Sequence, residues 1–153
     1  MAVEVRGDLL TITLEHNTMC NYICHQTNCT STYAKGLAKH IFDKFPNANT
    51  YCPGFIRTLG CISIHGNVIN MYAQLYPGKP RSRDNKTQRL NAFRQCLKQI
   101  AEIDELGSIA FPHRIGCGLA GGNWAEYKAL IDKFAESVDA TVYIVNNTGY
   151  AQK

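Results

Sequence analysis

Phe111-Pro112-His113-Arg114-Ile115-Gly116-Cys117-Gly118-Leu119-Ala120-Gly121-Gly122-Asn123-Trp124 sets four glycines within seven residues, between the apolar run 108–111 and an amphipathic stretch that starts at Asn123. A strand running into a glycine-rich loop and then a helix presents backbone N–H groups to an anion. Glycine permits positive φ and close approach, and the helix N-terminus adds partial positive charge. The spacing lacks the Lys-Ser/Thr ending of a P-loop, and its glycines do not fall as G-x-G-x-x-G. By itself the stretch is a phosphate cradle or a tight turn without a ligand.

Working outward, residues 141–145 form a β-branched strand behind this unit, and Trp124, Tyr127, Leu130, Ile131 and Phe134 give the helix between them an apolar face. Asn123 is its N-cap, with Glu126 three places on as in a capping box. Upstream, Leu90, Phe93, Leu97 and Ile100 keep helical spacing after Thr87, the expected cap, and Gly107 closes that helix. Cys61, Ile62 and Ile64, a turn at His65-Gly66-Asn67, and then Val68, Ile69, Met71 and Tyr72 predict a hairpin. A second strand-loop-helix unit precedes it. Tyr22, Ile23 and Cys24 form its strand, a polar loop follows, and Leu37, Ala38, Ile41, Phe42 and Phe45 form a helix from Gly36 that stops at Pro46. At the start, residues 3–6 and then Leu10, Ile12 and Leu14 alternate around Gly7-Asp8, which predicts two short strands. Strands alternating with helices give α/β architecture, helices on both faces of a mixed sheet. Ligands of such sheets bind at the carboxyl ends of the strands, so the two loops open on one edge and suit a diphosphate.

A chain of 153 residues is one domain, 1–153, with 45% hydrophobic and 18% charged residues. No apolar run nears the roughly 20 residues of a membrane span, and no stretch resembles a signal peptide. Seven dispersed cysteines without a C-x-x-C pair argue against a structural metal and for buried free thiols in a reducing compartment. The net charge of +4 is mild, and the basic residues gather only at Lys79, Arg81, Arg83, Lys86 and Arg89. That cluster is a nucleic-acid contact or a solvated face.

Four segments together make the chain resemble a macro domain, the ADP-ribose-binding module. Val5-Arg6-Gly7-Asp8-Leu9-Leu10 is similar to the family's opening, whose aspartate takes the adenine. His25-Gln26-Thr27-Asn28 through Tyr33-Ala34-Lys35-Gly36-Leu37-Ala38 resembles the distal-ribose asparagine and the first phosphate loop. Val68-Ile69-Asn70-Met71-Tyr72-Ala73-Gln74 and the segment from Arg114 to Trp124 complete the match. The resemblance implies a three-layer α/β/α macro-domain fold with a central mixed β-sheet. It implies ligand contacts from Asp8, Leu9, Asn28, Ala34, Lys35, Gly36, Leu37, Ile115, Gly116, Cys117, Gly118, Leu119 and Ala120.

The resemblance is nearest the branch holding ADP-ribose 1″-phosphate phosphatases and terminal ADP-ribose-glutamate hydrolases. Those hydrolases use a lysine and an aspartate where this chain has Asn70 and Ala120, so the lysine-adduct chemistry is absent. His25 matches a histidine that the phosphatases carry, and Asn28 orients the distal ribose. His113 is a weaker candidate, and Ala34 stands where the family usually has glycine. Residue chemistry alone leaves Asp8 either an adenine contact or a turn aspartate, Asn28 either a ribose contact or a loop cap, and Trp124 in the core. The expected activity is hydrolysis of ADP-ribose 1″-phosphate without metal or cofactor, with His25 and Asn28 as catalytic residues. The alternatives are a non-catalytic reader of ADP-ribosylated partners and a mono-ADP-ribosyl hydrolase using water held by Asn28. The expected partners are ADP-ribose, its 1″-phosphate, and ADP-ribosylated protein or nucleic acid, with no membrane. A monomer in the cytoplasm or nucleus is expected.

Overall fold

In a computed structural model, which describes residues 1–12 and 20–147, the apolar runs without alternation become strands buried on both faces. Every residue of β4 (Val68–Gln74) and β5 (Ser108–Pro112) is buried, as parallel strands covered by helices on each side require. With β1 (Val3–Gly7), β2 (Tyr22–Asn28), β3 (Ile62–His65) and β6 (Thr141–Asn147) they form one six-stranded sheet in the order β1-β6-β5-β2-β4-β3. All neighbours are parallel except β3 and β4, the predicted hairpin, where Ile62 faces Met71 and His65 faces Val68.

Two cores flank the sheet. On one face, Cys24, Ile69, Met71, Ile109, Phe111 and Ile144 meet α2 (Lys86–Ala101) and α3 (Trp124–Ser137). On the other, Ile23, Val68, Ala110 and Val145 meet Ile41 and Phe42 of α1 (Gly36–Lys44) and the 3₁₀ turn Pro46–Ala48. The architecture is therefore three-layer α/β/α around a mixed sheet, as expected. Trp124 and Leu130 pack against the first core while Tyr127, Ile131 and Phe134 are fully within it.

Three local expectations are corrected. Residues 9–12 form a turn rather than a second strand, because the Asp8 carboxylate accepts the Leu10 N–H at 2.9 Å and its carbonyl accepts the Thr11 N–H; Leu14 lies outside the described residues. The cap of α2 is Asn85, which exchanges bonds with Gln88 in a full capping box, two residues before Thr87. Asn123 does cap α3, but by accepting from the Ala125 N–H at 2.9 Å, with no return bond from Glu126.

Candidate functional site

The strand order reverses direction between β5 and β2. The chain leaves β2 toward α1 on one face and leaves β5 toward α3 on the other. Such a switch point opens a crevice at the carboxyl ends of the strands. Here it is a cleft of about 730 Å³ whose walls are the two loops singled out in the sequence.

The loop after β5 folds on its own backbone. Ile115 donates to the Pro112 carbonyl, Cys117 to Arg114, Gly121 to Gly118 and Gly122 to Gly116. Among the described residues nothing accepts the N–H groups of Gly116, Gly118, Leu119 and Ala120, all in the cleft lining. A run of unpaired N–H groups around positive-φ residues is an anion-binding nest. Arg114 (φ 66°) and Gly116 (φ 76°) supply the turn. Gly116 is required for a second reason. A Cβ there would stand 2.6 Å from the Tyr127 ring, so the loop is glycine because it lies flat on α3's first turn.

The loop after β2 ends at the start of α1, whose first N–H groups have no intrahelical acceptor. Its N-cap, Lys35, offers no side-chain acceptor either. These donors and the helix dipole face the same cleft, which Lys35, Gly36, Leu37 and Ala38 line. Among the described residues no carboxylate lines it, while Lys35 and Arg114 do.

Asn28 ends β2, where that loop leaves the sheet, and is 6% exposed. Its Oδ1 accepts from the N–H groups of Thr30 (3.1 Å) and Ser31 (2.8 Å), so the loop-cap reading holds and its acceptor is committed. Its backbone N–H and Nδ2 both donate to the hydroxyl of Tyr51, at 2.9 and 3.1 Å.

His25 lines the cleft on the α1 face, 1% exposed, edge-on to Phe42 at 5.3 Å. Its Nε2 lies 2.6 Å from Asn70 Oδ1. Asn70 Nδ2 donates to the Ala48 carbonyl at 2.8 Å, which fixes the amide with its oxygen toward the ring. Nε2 therefore carries the hydrogen and Nδ1 the lone pair, and among the described residues Nδ1 has no partner. Burial lowers the His25 pKa to about 4 against the opposing pull of Asn70, so the ring is neutral at neutral pH. Cys117 also lines the cleft, but burial pushes its thiol up to about 11, which removes it as a nucleophile at neutral pH.

Of the sequence-predicted contacts, Leu9, His25, Asn28, Lys35, Gly36, Leu37 and the run from Ile115 to Ala120 come together around this cleft. Asp8 and Ala34 are not among the residues lining it, and Ala38 of α1 also lines it. His113 lines it as well, edge-on to Trp124 at 5.0 Å.

Two residues were missed. Tyr51 sits in an irregular stretch with no pattern to mark it. Arg89 read as one more cation of the basic cluster, yet it is 1% exposed and ion-paired to Asp84 at 2.6 Å. Its fork also donates to the carbonyls of Gly78 (2.7 Å), Ala120 (2.9 Å), Tyr76 (3.1 Å) and Lys79 (3.3 Å), stapling the loop after β4 to the second phosphate-sized loop. Arg89 is thus unavailable to nucleic acid, and only Lys79, Arg81, Arg83 and Lys86 of that cluster are exposed. All seven cysteines are free thiols, four of them buried, and no metal-ligating cluster occurs among the described residues.

No protein-family model matches the chain. It is similar, at 21% identity over 154 residues, to an uncharacterised 17.5 kDa protein of the tk-vs intergenic region of Enterobacteria phage T4, across 90% of this chain and 92% of that one. Among solved structures it superposes on a protein of unknown function from Bacteroides thetaiotaomicron with TM-score 0.71 and 25% identity, covering 97% and 98% of the two chains. On the macrodomain of Thermus aquaticus DarG it superposes with TM-score 0.71 and 22% identity, covering 97% and 99%. The chain has the macro-domain fold.

Proposed function

We propose that the cleft binds ADP-ribose across its two loops and that the protein releases phosphate from ADP-ribose 1″-phosphate. The observation that carries the binding is the pair of facing donor sets: unpaired N–H groups of Gly116, Gly118, Leu119 and Ala120 on one wall, and the uncapped start of α1 on the other. Two anion-binding walls across one crevice, with no carboxylate lining it among the described residues, suit a diphosphate.

For turnover, the support is the state of His25. Its neutral ring keeps a lone pair on Nδ1 while Asn70 holds Nε2–H. Attack of Nδ1 on the terminal phosphorus forms an N–P bond and breaks the P–O1″ bond. The leaving 1″-oxygen takes a proton from water, and a second water then cleaves the N–P bond to return the free ring. Loop N–H groups steady the phosphoryl charge. The reactive form is the unprotonated ring, and its pKa lies at about 4. Phosphate release is therefore expected to stay level from neutral pH downward and to fall only as the pH approaches 4. Phosphate release by wild type, absent in His25→Ala, is the test; no release by wild type removes the phosphatase reading, and equal rates remove His25 from it.

The same burial favours a second reading, a non-catalytic reader of ADP-ribosylated partners, because Nδ1 is shut off from solvent and positions 70 and 120 carry no nucleophile or carboxylate. Saturable ADP-ribose binding without phosphate release selects it. The water-assisted hydrolase loses support, since the Asn28 acceptor that would hold the water is taken by Thr30 and Ser31.

A further inference from the structure

Tyr51 closes the cleft beside Asn28, and its hydroxyl poses a question of hydrogen placement. The phenolic oxygen receives the backbone N–H of Asn28 at 2.9 Å and its Nδ2 at 3.1 Å. The orientation of that amide is settled at its other end, where Oδ1 accepts from two backbone N–H groups that can only donate. Neither Asn28 group facing Tyr51 is therefore an acceptor, and the hydroxyl hydrogen must go elsewhere. No described residue takes it. Arg57, whose guanidinium stacks over the ring at 5.0 Å and donates to the Asn28 carbonyl at 3.2 Å, is a donor as well. Tyr51 is 5% exposed and lines the cleft. Burial pushes its pKa up to about 12, against the pull of the Asn28 N–H, so the hydrogen stays in place. A nearly buried donor with no acceptor is costly unless something in the cleft accepts it.

We infer that Tyr51 is a ligand-binding residue that gives its hydroxyl hydrogen to an acceptor oxygen of the bound molecule. With the remaining N–H of Asn28 Nδ2, it makes a corner that offers donors only and so selects oxygen lone pairs. This rests on the ADP-ribose reading. On that reading the diphosphate lies between the two loops, and we assign the acceptor to the terminal sugar, which Asn28 is expected to orient.

Calorimetric titration of wild type and Tyr51→Phe with ADP-ribose and with ADP, which lacks that sugar, tests the inference. One hydrogen bond is worth about tenfold in affinity. Tyr51→Phe is expected to weaken ADP-ribose by about that factor and to leave ADP within about twofold of wild type. Unchanged ADP-ribose affinity overturns the inference, and so does an equal loss for both ligands, which marks damage to the Asn28 loop. If wild type binds neither nucleotide, the ADP-ribose reading falls and takes this inference with it. Should Tyr51→Phe fail to fold, wild type alone decides: ADP-ribose must bind at least about tenfold more tightly than ADP, and equal affinities overturn the assignment.

Discussion

His25 is held neutral by its surroundings, and that has a consequence for stability as well as for chemistry. An unfolded histidine titrates near 6.5, whereas burial lowers the folded value to about 4. Between those values the unfolded chain binds a proton that the folded chain refuses. The stabilisation is complete above about pH 6.5 and is lost as pH falls through 4, a span of roughly 3 kcal/mol. Urea midpoints at pH 7 and pH 4.5 should therefore separate more for wild type than for His25→Gln; equal separations would show that the ring titrates normally. At Gly116 the test is steric. Gly116→Ala brings a Cβ to 2.6 Å from Tyr127 at a φ of 76°, so a loss of about 2 kcal/mol or more is expected in thermal unfolding, and an unchanged Tm would contradict the close packing.

At the scale of elements, the second loop was the most legible part of the chain. Its glycines, the apolar strand before it and Asn123 after it all state their roles locally. The first loop was legible as a loop, but that Ala38, within the first turn of α1, also lines the cleft depends on where the helix begins. Asp8 carried a motif, yet the same carboxylate satisfies the Leu10 N–H, a competition that spacing cannot resolve. Arg89 was illegible because burial is a property of packing. A cation on α2 looks the same in sequence whether it faces solvent or grips Asp84 and four carbonyls. Asp84, in turn, accepts from Leu75 and Tyr76, and those bonds with Arg89 outweigh the effect of burial and hold its carboxyl below the usual range. Arg89→Met leaves a buried carboxylate unpaired and should cost roughly 3–5 kcal/mol in urea unfolding. It should also weaken ligand binding, because Ala120 and Gly78 lose their common anchor. A stable Arg89→Met would mean that the loops hold each other without it.

For the whole molecule, the parallel order β1-β6-β5-β2-β4 brings every loop that matters to one edge, and the reversal between β5 and β2 divides that edge into two walls. The alternation of strands and helices made this layering readable, whereas the neighbour order follows from long-range pairing that no local pattern reveals. The exposed basic residues Lys79, Arg81, Arg83 and Lys86 follow Gly78, which lines the cleft. If they meet nucleic acid, affinity must fall steeply with salt, and neutralising all four must flatten that slope; a slope unchanged by neutralisation would assign them to a solvated face.

The central claim, that this cleft is built for ADP-ribose, is tested most directly by titrating the protein with ADP-ribose in a calorimeter. A single saturable site with a dissociation constant in the micromolar range or tighter, about −8 kcal/mol, is the expected result; no saturable binding at millimolar ADP-ribose would contradict it.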